Sequence, residues 1–319
     1  MLRVGQRRAL DKPSLDSMSS ADIAALNWYY KVELKPNAFT NGTLRPNMTA
    51  TRTLLERIDF ERMRVLDIGA QEGVFGVLLS RAGADVTGYD RFDLSDKIDL
   101  IQEAYGTRFR YFGGSPFPDF VRKMHAEEPL FDGIFFSGVL YHVLAPTLFV
   151  YFVRTLLRVG GILVLETIAA VDSDTALYFN GDARYWNGTG SYYLPSTGWL
   201  DYYLRFLGFK ILDVEYTTKR QRGDKLTTRV AMTAVLTDEH PTRSDDRFGR
   251  HLPQELIDFQ PLKKDKPFLG SERRITVPSY ADSLYHREIK PRTIDVTRIV
   301  HEKGQAPADE RLRMLRLSD

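Results

Sequence analysis

The sequence contains no cysteine. That excludes disulfides, thiolate metal sites and cysteine nucleophiles. It has no run of about 18 apolar residues, so no membrane-spanning helix is expected. The opening Met1-Leu2-Arg3-Val4-Gly5-Gln6-Arg7-Arg8 lacks the apolar core of a secretory signal, and a cytoplasmic protein is expected. Excess charge of one sign is missing as well, since the net charge is +2 over 319 residues. A broad basic face for gripping phosphates is therefore not expected. The short clusters Lys219-Arg220-Gln221-Arg222 and Lys263-Lys264-Asp265-Lys266 read as solvated surface, with RNA binding as the competing reading. No internal repeat is visible. Hydrophobic content of 43% and aromatic content of 12% are enough for a sizeable core.

What is present is concentrated in residues 64–90. Arg64 to Ile68 is an apolar strand carrying Asp67 near its end. Gly69-Ala70-Gln71-Glu72-Gly73 is a turn, and Val74 to Arg81 has helical apolar spacing. Gly83 stops that helix, and Ala84 to Asp90 is a second strand. Together they make one right-handed βαβ unit.

The turn lacks one glycine. A dinucleotide fold wants G-x-G-x-x-G so that backbone can approach a pyrophosphate. Gln71 stands where the middle glycine belongs, and Glu72 would repel a diphosphate. Asp90, 23 residues after Asp67, suits an acid that accepts hydrogen bonds from ribose hydroxyls. Two strand-tip acids around a glycine turn point to a nucleoside-bearing cofactor with a cationic amino-acid tail. The bland alternative is a structural turn with two strand-end acids.

This stretch resembles motif I and the following acidic strand end of the class I S-adenosylmethionine-dependent methyltransferases. The resemblance implies that Asp67, Gly69, Gln71 and Gly73 lie under the methionine part of that cofactor and that Asp90 holds its ribose. Neighbouring positions extend the expected cofactor set to Ala70, Arg91, Gly114, Ser115, Ser137 and Gly138.

Alternation continues after Asp90. Helices are expected over 95–105, 118–126, 146–158 and 198–207, and strands over 109–112, 131–137, 162–167, 209–216 and 228–236. Gly160-Gly161 should break the helix begun at Pro146. The expected fold is α/β, a doubly wound, mainly parallel, seven-stranded Rossmann-like sheet with one antiparallel edge strand. Residues 1–60 form a helical leader that covers the cofactor pocket, with a capped helix start at Ser19-Ser20-Ala21-Asp22 and a second helix over 49–58. Residues 61–237 form the cofactor-binding domain. Residues 238–319 are polar and proline-interrupted, and are expected to be an oligomer-forming arm, making the protein a homo-oligomer; a lid is the competing reading.

Ligands of open α/β sheets bind outside the carboxyl ends of the strands. That gathers the loops after Asp67, Asp90, Phe112 and Phe136. Transfer of a methyl group to an acceptor hydroxyl needs alignment and a base. His142, just past a strand end, titrates in the right range and is the first candidate, against a packing or capping histidine. Glu166 at the next strand end and Tyr185 are supporting catalytic candidates, with a structural role as Glu166's alternative. Residues 170–196 form a long loop rich in aromatics, Asn, Asp and Gly. Loops of such length are usually functional, so this one is the expected acceptor loop. Tyr141, Arg184, Trp186, Tyr193 and Arg229 are the substrate-binding candidates. Asp172, Asp174 and Asp182 read as solvated acids, and no metal site is assigned.

Residues 131–142, 163–167, 184–185 and 193–196 carry a closer resemblance, to the tRNA wobble-uridine carboxymethyltransferases, over about residues 27–236. It implies a carboxylated S-adenosylmethionine held by lysine, tyrosine and arginine. Tyr185 and Arg229 match the last two, and Lys35 is a loose match for the first. The departures are Gln71-Glu72, a short leader, an unmatched segment after residue 237 and weak basicity. The expected function is therefore O-methylation of a small molecule or sugar with ordinary S-adenosylmethionine. A tRNA-modifying transferase and a non-catalytic assembly subunit are the alternatives.

Overall fold

The computed structural model describes residues 14–43, 51, 54–172, 174–186, 190–216 and 220–237, and the backbone of 272–279 and 290–297. The leader carries α1 (Ser20–Ala25) and a hairpin of β1 (Glu33–Lys35) and β2 (Ala38–Phe39). Ser19 caps α1 through a reciprocal pair with Asp22, as the sequence suggests. Of the second leader helix, Thr51, Leu54 and Leu55 are helical, and much of the rest falls outside the described residues.

The main sheet is built from β3 (Arg64–Ile68), β4 (Asp85–Asp90), β5 (Arg110–Gly113), β6 (Phe131–Ser137), β7 (Leu157–Ala170), β10 (Phe209–Tyr216) and β12 (Lys225–Leu236). Their spatial order is β10-β12-β7-β6-β3-β4-β5, with short β11 (Arg220–Arg222) added against β12. β12 runs antiparallel to both β7 and β10, while the pairs among β7, β6, β3, β4 and β5 are parallel. The antiparallel strand therefore lies one place in from the edge, not at it. That position carries Arg229 into the middle of the sheet's reach, opposite Ile168 of β7. The strand order reverses between β3 and β6, which puts the loops after Ile68 and Ser137 at the switch point.

Helices α2 (Val74–Arg81), α3 (Ser95–Tyr105), α4 (Phe117–Glu127), α5 (Pro146–Leu156) and α6 (Thr197–Phe206) cover the two faces. Strand alternation sorts the core. Val65, Phe135, Ile162 and Val164 point to the face shared by α2 and the leader residues Trp28, Tyr30, Val32 and Leu34. Leu66, Ile134, Phe136, Leu163 and Leu165 point to the face covered by α4, α5 and α6. Asp67 shares Val65's parity, so its carboxyl group lies on the leader side.

Gly160-Gly161 corrects one expectation. The pair stands inside the 14-residue β7 and does not simply end a helix. Pairing jumps from Phe131↔Leu157 to Gly133↔Ile162, and Gly160 takes φ +80 within that irregularity. A residue without Cβ lets the strand bulge and resume.

The acceptor loop folds into β8 (Leu177–Phe179) and β9 (Tyr193–Pro195), an antiparallel pair. Beyond residue 237, β13 (Glu272–Ser279) and β14 (Lys290–Thr297) pair antiparallel, and the expected arm or lid otherwise lies outside the described residues. No described helix is long and apolar enough to cross a membrane.

Phe136 is fully buried and stacks on Phe149 at 5.3 Å. Phe136→Ala is expected to cost about 3–5 kcal/mol in urea unfolding, the range for a large cavity that cannot collapse. A loss below about 1 kcal/mol would contradict this packing.

Candidate active site

The cofactor turn is held by backbone. Gly69 and Ala70 donate to the Tyr89 carbonyl at 2.8 and 3.0 Å, and Gly73 donates to Ala70 at 2.8 Å. Gly69 and Gly73 take φ +78 and +82. A Cβ at Gly69 would lie 2.2 Å from Val139 Cγ2, so the loop after β6 presses directly on the turn. Gln71, in the missing glycine's place, takes φ +48. It thus adopts the conformation that glycine would, at a cost of about 1–2 kcal/mol for an L-residue.

The two strand-tip acids meet here. Asp67 is buried, and its Oδ2 has no hydrogen-bond partner among the described residues. Burial, and then the neighbouring Asp90, push its pKa up to about 8. Asp90 Oδ2 accepts from Gln71 N at 3.1 Å and Oδ1 from Phe92 N at 3.0 Å. Each oxygen keeps a lone pair for a further donor. Arg91 is exposed and stacks on Phe92 at 5.2 Å. Gly114 is exposed with φ +77, and the Ser115 carbonyl accepts from the Tyr89 hydroxyl at 2.7 Å. Gly138 donates its backbone N–H to the Glu166 carbonyl at 3.0 Å.

Glu166 is a correction. As a base it would need a free oxygen, yet it is fully buried with both oxygens engaged. Oε1 accepts from Arg229 Nη1 at 2.7 Å, and Oε2 accepts from Ser137 Oγ at 3.1 Å. Thr51 Oγ1 is 3.3 Å from the same Ser137 hydroxyl. Arg229 also donates to the Tyr141 hydroxyl at 3.2 Å. Glu166 thus fixes Arg229, and Arg229 fixes Tyr141.

His142 is exposed. Its Nδ1 is 3.0 Å from the Gly190 carbonyl oxygen, which can only accept. The proton therefore sits on Nδ1, and Nε2 carries the lone pair. Its ring lies 4.2 Å from that of Tyr141. Desolvation lowers the imidazole pKa, the Gly190 bond opposes this, and the Arg229 charge adds a smaller downward effect.

The acceptor loop divides. Tyr185 is buried with Tyr141, Ile168 and Leu194, and Trp186 packs against that group. The Trp186 ring receives Arg222 at 5.0 Å and Arg229 at 5.6 Å. Arg184 instead points to the surface and pairs with Asp224 at 3.1 Å. Tyr193 lies beside exposed Phe179, ring to ring at 5.4 Å, because its neighbour Leu194 takes the inward position. Arg184 also lies over the Tyr185 ring at 5.2 Å, whereas Tyr193 is not brought to the Tyr141–Tyr185 cluster. Lys35 is tied to the Asp16 and Met18 carbonyls at 3.2 and 2.7 Å, so the loose match to a carboxylate-holding lysine does not form. Asp172 is paired with Lys225 at 2.8 Å and bonded to the Tyr178 hydroxyl, which holds its pKa down to about 2. It is not the solvated acid expected.

One organising residue escapes the sequence reading. Asn180 is buried; its Oδ1 accepts from Tyr185 N and Trp186 N at 2.9 and 3.0 Å, and its Nδ2 donates to the Trp186 and Ser191 carbonyls. The Asn180-Gly181-Asp182 run was the available signal, as a turn sequence.

A family model described as a methyltransferase domain matches residues 41–213, more than half of the chain. The chain belongs to the methyltransferase domain family. Among curated relatives, the tRNA U34 carboxymethyltransferase of Idiomarina loihiensis is 33% identical over 162 residues, covering 49% of this chain and 48% of that protein. The protein of the same name from Methylococcus capsulatus is 30% identical over 203 residues, covering 61% and 60%. The chain spans about half the length of the curated relatives it matches first. Similar solved structures include Burkholderia thailandensis 1,6-didemethyltoxoflavin-N1-methyltransferase, 23% identical with a TM-score of 0.41 over 56% of this chain and 72% of that one. Another is magnesium protoporphyrin IX methyltransferase from Synechocystis PCC 6803, 18% identical with a TM-score of 0.40 over the same shares.

The donor set of this methyltransferase domain fits S-adenosylmethionine. A buried carboxylate oxygen without a partner at Asp67 answers an amino group, and the open lone pairs of Asp90 answer ribose hydroxyls. Gly69 and Gly73, both at positive φ, present no side chain of their own in the turn.

Two outcomes test this geometry. Glu166→Ala leaves Arg229 buried without its anion and is expected to cost about 3–5 kcal/mol, whereas Glu166→Leu with Arg229→Met should cost much less. Equal losses in chemical unfolding would contradict the buried pair. Asp67 has a raised pKa when folded, so the folded protein holds its proton more tightly, and stability falls as pH rises from about 4 to about 8. Asp67→Asn should flatten that slope in thermal melts; an unchanged slope would contradict the buried acid.

Proposed function

We propose that this methyltransferase transfers the methyl group of S-adenosylmethionine to a hydroxyl of a small molecule or sugar lodged against Tyr141, Tyr185 and Trp186. The observation that carries this reading is one edge of the sheet holding both an acid-tipped turn and an imidazole whose Nε2 carries the lone pair. When bound, the cofactor supplies an electrophilic methyl carbon. His142 Nε2 takes the acceptor's proton as its oxygen forms the new bond to carbon, and the carbon–sulfur bond breaks. Tyr141, held by Arg229, orients the acceptor. Asp67 and Asp90 hold the two ends of the cofactor.

Arg229 bears on the choice of cofactor. Its charge is already matched by Glu166, and Lys35 is engaged elsewhere, so an additional cofactor carboxylate would meet little net positive charge. This favours ordinary S-adenosylmethionine. The second reading, carboxymethylation of a tRNA wobble uridine, is favoured by the names of the relatives and by the two guanidiniums on Trp186.

Calorimetry with S-adenosylhomocysteine and a product-release assay against hydroxylated small molecules and total tRNA test both. No cofactor binding at millimolar concentration would end both readings. Turnover of tRNA alone, weakening steeply with salt, would replace the first by the second. Cofactor binding without turnover of any acceptor would leave the assembly-subunit reading. His142→Ala is expected to lower kcat about 100-fold or more with little change in cofactor affinity. Activity should fall as pH drops below a pKa lower than that of ordinary imidazole. Unchanged turnover in His142→Ala would discard His142 as the base.

A further inference from the structure

Glu72 is the residue of the cofactor turn that the chemistry above does not use. It is 1% exposed. A buried carboxylate is costly unless paired and hydrogen-bonded. Its partners are not ligand donors from the turn but groups of the leader and α3. Oε1 accepts from the backbone N–H of Tyr29 at 2.7 Å and from Lys97 Nζ at 3.2 Å. Lys97 in turn donates to the Asn27 carbonyl at 2.7 Å and lies 6.0 Å from the Trp28 ring centroid. Residues 27–29 are therefore fastened to the turn from both sides.

The fastening runs in both directions. Next to Glu72, the Gln71 N–H is bonded to Asp90 Oδ2. On the far side, the Tyr29 carbonyl accepts from Thr43 N at 3.2 Å, and Trp28 N donates to Asn41 Oδ1 at 3.1 Å. The segment 27–43 is thus a folded hairpin. Tyr30 continues the contact edge-on to Tyr29 and then to Phe75 of α2. A short path of bonds links the strand-tip acid Asp90 to the backbone of Tyr29 in the leader.

We propose that Glu72, assisted by Lys97, is a positioning residue that couples the cofactor turn to the leader hairpin, so that occupancy of the turn orders residues 27–43. The proposal rests on the reading that this turn binds S-adenosylmethionine. It accounts for the Gln71-Glu72 pair that departs from a glycine-rich turn. Gln71 supplies the N–H that engages the ribose acid while taking glycine's conformation, and Glu72 supplies the acceptor for the leader.

Hydrogen exchange of the full chain, with and without S-adenosylhomocysteine, reads this coupling directly. In the unmodified protein, the cofactor product should slow exchange of residues 27–43 by about tenfold, along with residues 69–73 and 90. Glu72→Ala should keep the slowing at the turn and lose it in residues 27–43. Glu72→Gln keeps an acceptor oxygen for Tyr29 N and should restore much of the effect. A residue that only supports the fold would lower the melting temperature without separating the two segments.

No binding of S-adenosylhomocysteine to the unmodified protein would remove the cofactor reading, and the proposal with it. Binding without any change in residues 27–43 would overturn the proposal alone. So would Glu72→Ala with its leader protection intact. Should Glu72→Ala not fold, Lys97→Met carries the test, and full retention of leader protection there overturns the proposal.

Discussion

A carboxylate removed from water must be answered by a charge or by donors, and this constraint organises the carboxyl edge of the sheet. Four acids are buried there: Asp67, Glu72, Asp90 and Glu166. Each is answered differently. Glu166 has an arginine and a serine hydroxyl, Asp90 has two backbone amides, and Glu72 has a lysine and a leader amide. Among the described residues, Asp67 has no charged partner, keeps one oxygen outside any hydrogen bond, and is raised in pKa by burial and then by Asp90. Glu72 also retains such an oxygen, but its other oxygen is ion-paired. The distribution of these answers separates the acids paired with a cation, Glu72 and Glu166, from the two strand-tip acids, which have none among the described residues.

The same logic explains the sheet's layout. Inserting β12 between β7 and β10 sets Arg229 across from Ile168, two residues beyond Glu166 on β7. A parallel strand arriving by a helical crossover would have delivered its carboxyl end there instead. The antiparallel strand delivers its amino-terminal part, and with it the guanidinium that Glu166 needs. Ser137, which pairs with Glu166 in register on β6, supplies the remaining donor.

The fold and the cofactor turn were legible because their signals are local. Asp67, Gly69, Gly73 and Asp90 fall within one βαβ unit, where periodicity and turn glycines fix who meets whom. The helix start at Ser19 was legible for the same reason. Pairings across long separations were not. Nothing near Glu166 in the chain announces Arg229, so a strand-end acid read as a base became half of an ion pair. Glu72 read as a repulsive charge near a ligand because its partner, the Tyr29 amide, is a backbone group without any side-chain signature. Arg184 and Trp186 are two residues apart, yet Asn180 gathers the backbone of Tyr185 and Trp186 and leaves Arg184 to Asp224. Gly160-Gly161 misled because a bulge inside a strand and a stop after a helix use the same residue type.

The contact between Gly69 and Val139 has a mechanical meaning. Val139 immediately precedes the short turn Leu140–His142, and its methyl group occupies the space a side chain at position 69 would take. The two loops on either side of the switch point are therefore in contact with no slack. The turn after β3 and the short turn that carries His142 therefore pack against each other through Val139. The spacing between the turn after β3 and the loop after β6 is thus limited by a steric stop at position 69, where any side chain would push the two loops apart.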